Sequence, residues 1–198
     1  MSNPLVLASA SPRRSELLTQ LGVVFIVRAQ DIDETVHGGE LPRDYVERLA
    51  KEKAAQAISN CDAGSVVLAA DTTVVAGGKI LGKPEGKADC LSMIKLLSNT
   101  EHSVLTGIAI GDGNRLLSQV VETKVRFRAI TQAEASLYWE TGEPLGKAGA
   151  YGIQGFAAAF VEHLSGSHSN VVGLPLFEVA GLLKDFGIPL WGQLGERS

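Results

Sequence analysis

Cysteine is scarce in this sequence: Cys61 and Cys90 are the two in 198 residues. They form no CxxC pair, and no Cys/His cluster has zinc spacing, which argues against a disulfide scaffold or zinc module; two reduced thiols are expected. Long hydrophobic runs are also missing. The longest candidate, Ala148 to Val161, is broken by glycine and polar residues and falls short of the ~20 apolar residues that span a bilayer. Met1 to Ala10 holds a short apolar run with Arg13 and Arg14 after it, the reverse of a secretory leader. The expectation is a soluble, cytoplasmic protein. Basic charge is not in excess either: 18 Lys+Arg against 22 Asp+Glu give a formal net charge of −4. That argues against bulk binding along a nucleic-acid backbone, although a local basic cluster can still face a small anion.

The composition present is ordinary for a globular chain, with 45% hydrophobic and 20% charged residues. The length suits one large domain or two small lobes and a core that needs no cross-link. Leu5 to Ala8 reads as a strand. Ser11 then offers an N-cap and Pro12 a first helical position, with Gly22 closing the helix. Val23 to Val27 reads as a strand and Asp31 to Glu34 as an acidic loop. Pro42 opens a second helix whose apolar stripe, Val46, Leu49, Ala50, Ala54 and Ala57, also contains Lys53. A lysine in such a stripe either snorkels to water or points inward at an anion.

Val66 to Ala70 is a continuous apolar run, as expected of a strand covered on both faces, and it ends in Asp71-Thr72-Thr73. A carboxylate at that place either caps a turn or does chemistry. Val74 to Leu81, with Gly77-Gly78 at its centre, reads as a hairpin. A third helix is expected from about Lys87 to Leu97, then a strand over Val104 to Ile110. Val121 to Ala129 alternates apolar and charged residues, a strand with one solvated face. Thr131-Gln132-Ala133-Glu134 is a capping box. A Gly-rich stretch covers Lys147 to Gly155; Phe156 to Leu164 and Ser169 to Val172 read as strands, and Pro175 starts a last helix ended by Gly187 and Pro189. The histidines are read as surface or hairpin residues. Helices and strands are interspersed, so a mixed sheet in an α/β fold is expected.

Gly77-x-x-x-x-Gly82-Lys83 imitates a phosphate loop, but Pro84 stands where a Ser or Thr is needed on a helix. Lys83 as a single phosphate-binding lysine stays open. The Ser9 to Arg14 turn combines a helix N-terminus with two hydroxyls and two guanidinium groups, which suits a polyphosphate; a plain capped helix with surface arginines is the other reading. Two separated acids, Glu34 and Asp71, with Lys53, Lys83 and that turn, fit phosphoanhydride hydrolysis assisted by magnesium, which takes one or two carboxylates plus phosphate oxygens. A serine-hydrolase elbow is absent.

Six blocks occur in order: Leu7-Ala8-Ser9-Ala10-Ser11-Pro12-Arg13-Arg14, Arg48 to Ala54, Ala70-Asp71-Thr72, Leu81-Gly82-Lys83-Pro84, Lys147 to Gly155, and Asn170 to Pro175. In this order they resemble the Maf family. The resemblance implies a nucleoside triphosphate pyrophosphatase that cleaves between the α- and β-phosphates with a divalent metal, magnesium or manganese. It implies a strongly twisted mixed sheet flanked by helices, in two lobes with a cleft, like inosine-triphosphate pyrophosphatases. The expected domain covers 1–190, with a tail at 191–198. Arg13, Thr72 and Gln154 resemble the specificity residues of the subgroup that hydrolyses dTTP, UTP and modified pyrimidine nucleotides. With the residue pattern, the resemblance makes Asp71 the candidate catalytic residue, either as the base that takes a proton from water or as a metal ligand, two roles the sequence leaves open. Glu34 is expected to help hold the metal, and Ser9, Ser11, Arg14, Lys53 and Lys83 are expected to contact the phosphates. The resemblance also implies a nucleoside triphosphate as partner and a homodimer; the charge balance and the lack of a long apolar run make no nucleic acid and no membrane the expectation. Gly146 and His168 depart from the family, which often has Asp and Tyr there. A nucleotide-sensing or division-associated binding protein without turnover is the alternative.

Overall fold

The computed structural model describes residues 4–191; of the expected tail, 192–198 lie outside them. The strands are β1 (Leu5–Leu7), β2 (Phe25–Val27), β3 (Val66–Ala76), β4 (Lys79–Leu81), β5 (Glu101–Gly111), β6 (Leu116–Phe127) and β7 (Val161–Ser165). The helices are α1 (Pro12–Gln20), α2 (Pro42–Ser59), α3 (Lys87–Leu97), α4 (Gln132–Glu140), α5 (His168–Val172) and α6 (Leu176–Asp185). The sheet runs β2-β1-β3-β5-β6-β7, with β4 on β3. It is mixed, as expected: β1 pairs parallel with β2 and β3, whereas β4 pairs antiparallel with β3 and β7 antiparallel with β6. No helix among the described residues is long and apolar enough to cross a membrane.

The chain divides into two compact units. Among the described residues one comprises 4–71, Thr106–Val121 and 173–191; the other comprises Thr72–Leu105 and Glu122–Val172.

In the first unit, small residues form the cluster where α2 packs on the sheet. Ala50, Ala54 and Ala57 of α2 pack with Val6, Ala8, Val67, Ala69 and Ala109. Alanines on both sides let the helix approach the sheet closely. At Gly107 a Cβ would sit 2.2 Å from the carbonyl oxygen of Val46, so only a residue without a side chain fits there. The stripe at i, i+3, i+4, i+7 spacing is buried as the sequence indicates, Lys53 included.

The second unit is richer in aromatics. Phe127 meets His102 and Tyr151 edge to face, each with centroids 4.9 Å apart, and Tyr138 meets Phe160 at 5.2 Å. In β6 the alternation holds: Thr123, Val125 and Phe127 are buried, and Lys124 and Arg126 between them are exposed. The capping box at Thr131 and Glu134 is complete.

Four expectations give way. β3 does not end at Asp71; it continues to Ala76, so Asp71 lies mid-strand. Phe156 to Leu164 is not one strand: Phe156–Phe160 is a 3₁₀ turn before β7, because the amides of Phe156 and Ala157 donate to the Glu143 carboxylate and not to a neighbouring strand. Ser169 to Val172 is helical, since Ser167 Oγ accepts from Asn170 N at 3.2 Å as an N-cap does. His102 is a core residue, 3% exposed and bonded through Nε2 to the Tyr151 hydroxyl at 2.9 Å.

Candidate functional site

Lys53 brings the two separated acids of the first unit together. Its ammonium donates to Asp71 Oδ1 at 2.6 Å and to Glu34 Oε1 at 2.7 Å. Asp71 and Lys53 are both 8% exposed, and Glu34 is exposed in its loop. The sequence left two destinations for Lys53. The structure has it pointing inward, at carboxylates of its own chain. A buried lysine needs such partners, because desolvating an unpaired charge costs several kcal/mol.

The Ser9–Arg14 turn follows β1, whose partner β3 carries Asp71. Ser9 is buried, and its hydroxyl accepts from Ser11 N and from Arg14 Nη1, both at 3.2 Å. Arg14 Nε also donates to the carbonyl of Gly173 at 2.8 Å, which fixes the guanidinium at the start of α1. Burial pulls the Arg14 guanidinium below its ordinary value, and the negative charge of Asp71 opposes this. Ser11 occupies the N-cap position with extended backbone but makes no side-chain cap; Ser9 supplies the local hydroxyl contact instead. Arg13 is half-buried beside them.

Two side chains that sequence reasoning did not single out hold the Glu34 loop. The Tyr45 hydroxyl donates to the carbonyl of Glu34 at 2.9 Å. Arg48 grips Glu40 with two bonds, at 2.6 and 2.8 Å, and donates to the carbonyl of Thr35 at 3.1 Å. Arg48 holds the Glu40 carboxyl at about 2, chiefly through these bonds. Burial, then the charges of Asp71 and Glu34, push the Tyr45 phenol up to about 12. Their helical spacing placed Tyr45 and Arg48 on α2, but nothing local linked them to a loop eight or more residues earlier.

The second unit holds Thr72, Lys83 and Gln154. Thr72 follows Asp71 in β3 and is half-buried. Lys83 is exposed in the loop after β4, and its neighbour Gly82 accepts from Gly149 N at 3.0 Å, which ties that loop to the Gly-rich stretch. Gln154 is exposed on that stretch. The Gly77-Gly78 turn joins β3 to β4, with φ of 55° and 75°. It is a hairpin turn, so the phosphate-loop imitation has no helix behind it.

Among the described residues no group of three or more His, Cys, Asp and Glu side chains is placed to hold a metal ion. Glu34 and Asp71 nevertheless share one cation, Lys53. Two hard carboxylates of this kind fit magnesium or manganese, whose other ligands come from water and phosphate oxygens.

A mixed α/β chain with a basic Ser/Arg turn and a carboxylate held by a buried lysine has the equipment to bind an anionic ligand and move a proton. Residues 4–186 match the family described as Maf-like protein. The chain belongs to the Maf family. It is 51% identical over 191 residues to the dTTP/UTP pyrophosphatase of Hahella chejuensis (strain KCTC 2396), covering 96% of this chain and 95% of that protein. It is 53% identical over 198 residues to the dTTP/UTP pyrophosphatase of Anaeromyxobacter dehalogenans (strain 2CP-C), covering 98% and 100%. A solved nucleoside-triphosphatase / dITP/XTP pyrophosphatase from Mycobacterium abscessus ATCC 19977 / DSM 44196 is similar at a TM-score of 0.41 and 14% identity, covering 64% of this chain and 75% of that one.

Proposed function

We propose that this chain is a nucleoside triphosphate pyrophosphatase that hydrolyses dTTP and UTP, and modified pyrimidine nucleotides, to the monophosphate and pyrophosphate. The observation that carries the reading is the buried Asp71 carboxylate held by Lys53 beside Glu34. Relatives about half identical over nearly the whole chain and named dTTP/UTP pyrophosphatase supply the substrate class.

In this reading water attacks the α-phosphorus. The bond from that phosphorus to the α–β bridging oxygen breaks, and pyrophosphate leaves. Asp71 takes the proton of the attacking water. Lys53 orients Asp71 and adds positive charge near the phosphates. Ser9, Ser11 and Arg14, with Lys83, bind phosphate oxygens, and a fixed guanidinium is suited to charge that develops in the transition state. Glu34 and Asp71 would hold a divalent cation, which supplies charge neutralisation and orientation of the triphosphate. Arg13, Thr72 and Gln154 select the nucleotide; the Gln154 amide offers a donor and an acceptor to a pyrimidine edge. The reading further makes the protein a cytoplasmic homodimer of one Maf-like domain in two lobes, covering 1–190, which binds neither nucleic acid nor membrane.

A panel of dTTP, UTP, CTP, GTP, 7-methyl-GTP and ATP with magnesium or manganese tests it, with product read as pyrophosphate against free phosphate. Pyrophosphate from dTTP and UTP is expected, and Asp71→Asn should lose about 10²–10⁴-fold in rate while staying folded, as for a lost general base. Free phosphate from ATP would overturn α–β cleavage. Tight nucleotide binding without turnover would make the chain a sensing module.

A further inference from the structure

Glu143 lies outside every block that suggested the function, in the turn after α4. Its carboxylate gathers three donors of the second unit. Oε1 accepts from the Tyr138 hydroxyl at 2.8 Å and from Ala157 N at 3.1 Å, and Oε2 accepts from Phe156 N at 2.6 Å. The Glu143 carbonyl also receives the Lys147 ammonium. A half-buried surface glutamate does not ordinarily collect two consecutive backbone amides from a segment more than ten residues away.

What it holds is the end of the Gly-rich stretch. Phe156 and Ala157 begin the 3₁₀ turn that immediately follows Gln154 and Gly155. Gly155 has φ −114°, which any L residue can adopt. Yet a Cβ there would lie 1.9 Å from Glu143 Oε2. An alanine there would have to push the Glu143 carboxylate off the amides of Phe156 and Ala157. Gly152 is similar, since a Cβ would come within 2.9 Å of the Lys147 side chain. Glu143 and the Lys147 stem thus pack against both glycines that flank Ile153-Gln154. Gln154 stands exposed on this tethered loop, with no hydrogen bond from its amide to any described residue. Its donor and acceptor face solvent on a turn that Gly155 N closes by donating to the Gly152 carbonyl at 3.1 Å.

We infer that Glu143 is a positioning residue for nucleobase recognition: by binding the amides of Phe156 and Ala157 it fixes the loop that presents the Gln154 amide. This rests on the reading in which Gln154 meets the pyrimidine. Base recognition needs a donor and an acceptor at set distances, and a loop free to shift by about 1 Å loses up to ~10²-fold in efficiency.

The test compares Glu143→Ala, Glu143→Gln, Gly155→Ala and Gln154→Ala, with dTTP, UTP and CTP as substrates and the unfolding midpoint as a control. Glu143→Ala should lower kcat/KM for UTP about 10- to 100-fold, more through KM than through kcat, and bring the UTP-to-CTP ratio towards that of Gln154→Ala. Glu143→Gln keeps one acceptor oxygen and should fall between. Gly155→Ala, which leaves Glu143 in the chain but displaces its carboxylate, should shift the ratio in the same direction. Glu143→Ala combined with Gln154→Ala should discriminate no worse than Gln154→Ala alone.

A Glu143→Ala protein that melts earlier but keeps the wild-type ratio and KM would overturn the inference, as would an equal loss of kcat on all three nucleotides. Should Glu143→Ala not fold, Glu143→Gln and Gly155→Ala decide by the same ratio. If Gln154→Ala abolishes discrimination and these variants do not, the inference alone fails. If Gln154→Ala leaves the ratio unchanged, the base-reading role of Gln154 fails and the inference falls with it.

Discussion

Lys53 and Asp71 form a 2.6 Å ion pair with both side chains close to full burial. Glu34, more exposed, takes a second bond from the same ammonium at 2.7 Å. One lysine on a helix stripe therefore neutralises the strand carboxylate and draws a loop carboxylate to it. Breaking such a pair from one side leaves a buried charge uncompensated, which costs more than the pair itself is worth.

Lys53→Met should consequently destabilise the fold by about 3–5 kcal/mol at neutral pH. Chemical denaturation of Lys53→Met, Asp71→Asn and the double variant measures it. The double variant should be less destabilised than the two single losses added together. Strict additivity would mean that the two groups do not share their desolvation.

Glu34 is the acid that binds Lys53 from an exposed loop. Chelation with EDTA should abolish dTTP turnover and added magnesium should restore it. Glu34→Gln should raise the magnesium concentration for half-maximal rate, because a neutral amide is a weaker ligand for a hard cation. A magnesium titration of both proteins reads the shift, and an unchanged midpoint would remove Glu34 from the metal site.

His102 makes stability depend on pH. Burial lowers its imidazole to about 4 from an ordinary value near 6.5, and its Nδ1 is buried without a hydrogen-bond partner. Charging the ring would place an unsatisfied N–H there. Between these two values the unfolded chain binds the proton more readily than the native one, so stability falls as pH drops from about 6.5 towards 4. The loss is ~3 kcal/mol at most. Urea denaturation at pH 7.5, 6 and 4.5 should show it, and His102→Gln should flatten this part of the dependence.

Gly107 tests the close approach of α2 to the sheet. Gly107→Ala pushes a Cβ against the Val46 carbonyl and should cost at least about 1–3 kcal/mol, as overpacking does. Gly181→Ala is the counter-case: it lies inside α6 with nothing within 4 Å of its Cβ position, and should gain about 0.5–1 kcal/mol. Thermal or urea unfolding of the pair distinguishes backbone contact from helix propensity.

Much of the architecture was legible in local pattern. Pro12 and Pro42 start helices, Gly77-Gly78 turns a hairpin, Lys87–Leu97 is helical to the residue, and the capping box at Thr131 forms as written. Each rests on contacts within a few residues, which is why sequence alone carries them. The segments that misled were those whose backbone donors go to a distant group. Phe156–Phe160 has β-compatible residues at both ends, but its amides go to Glu143; Ser169–Val172 reads as a strand, but Ser167 caps a helical turn and Asn170 is anchored on Val104 and Thr123.

The sequence by itself determined the family, the mixed α/β class and the residue types available for chemistry, because motif order and hydrophobic period are properties of the chain. Tertiary structure decided what those residues do to one another. A stripe cannot say whether Lys53 reaches water or Asp71; that depends on how closely an alanine-rich helix face can approach β3. Nor can spacing show that Tyr45 and Arg48 hold the Glu34 loop, or that Glu143 holds the loop of Gln154. Hydrogen bonds and ion pairs form at about 3 Å, and only the folded chain brings residues from different elements that close.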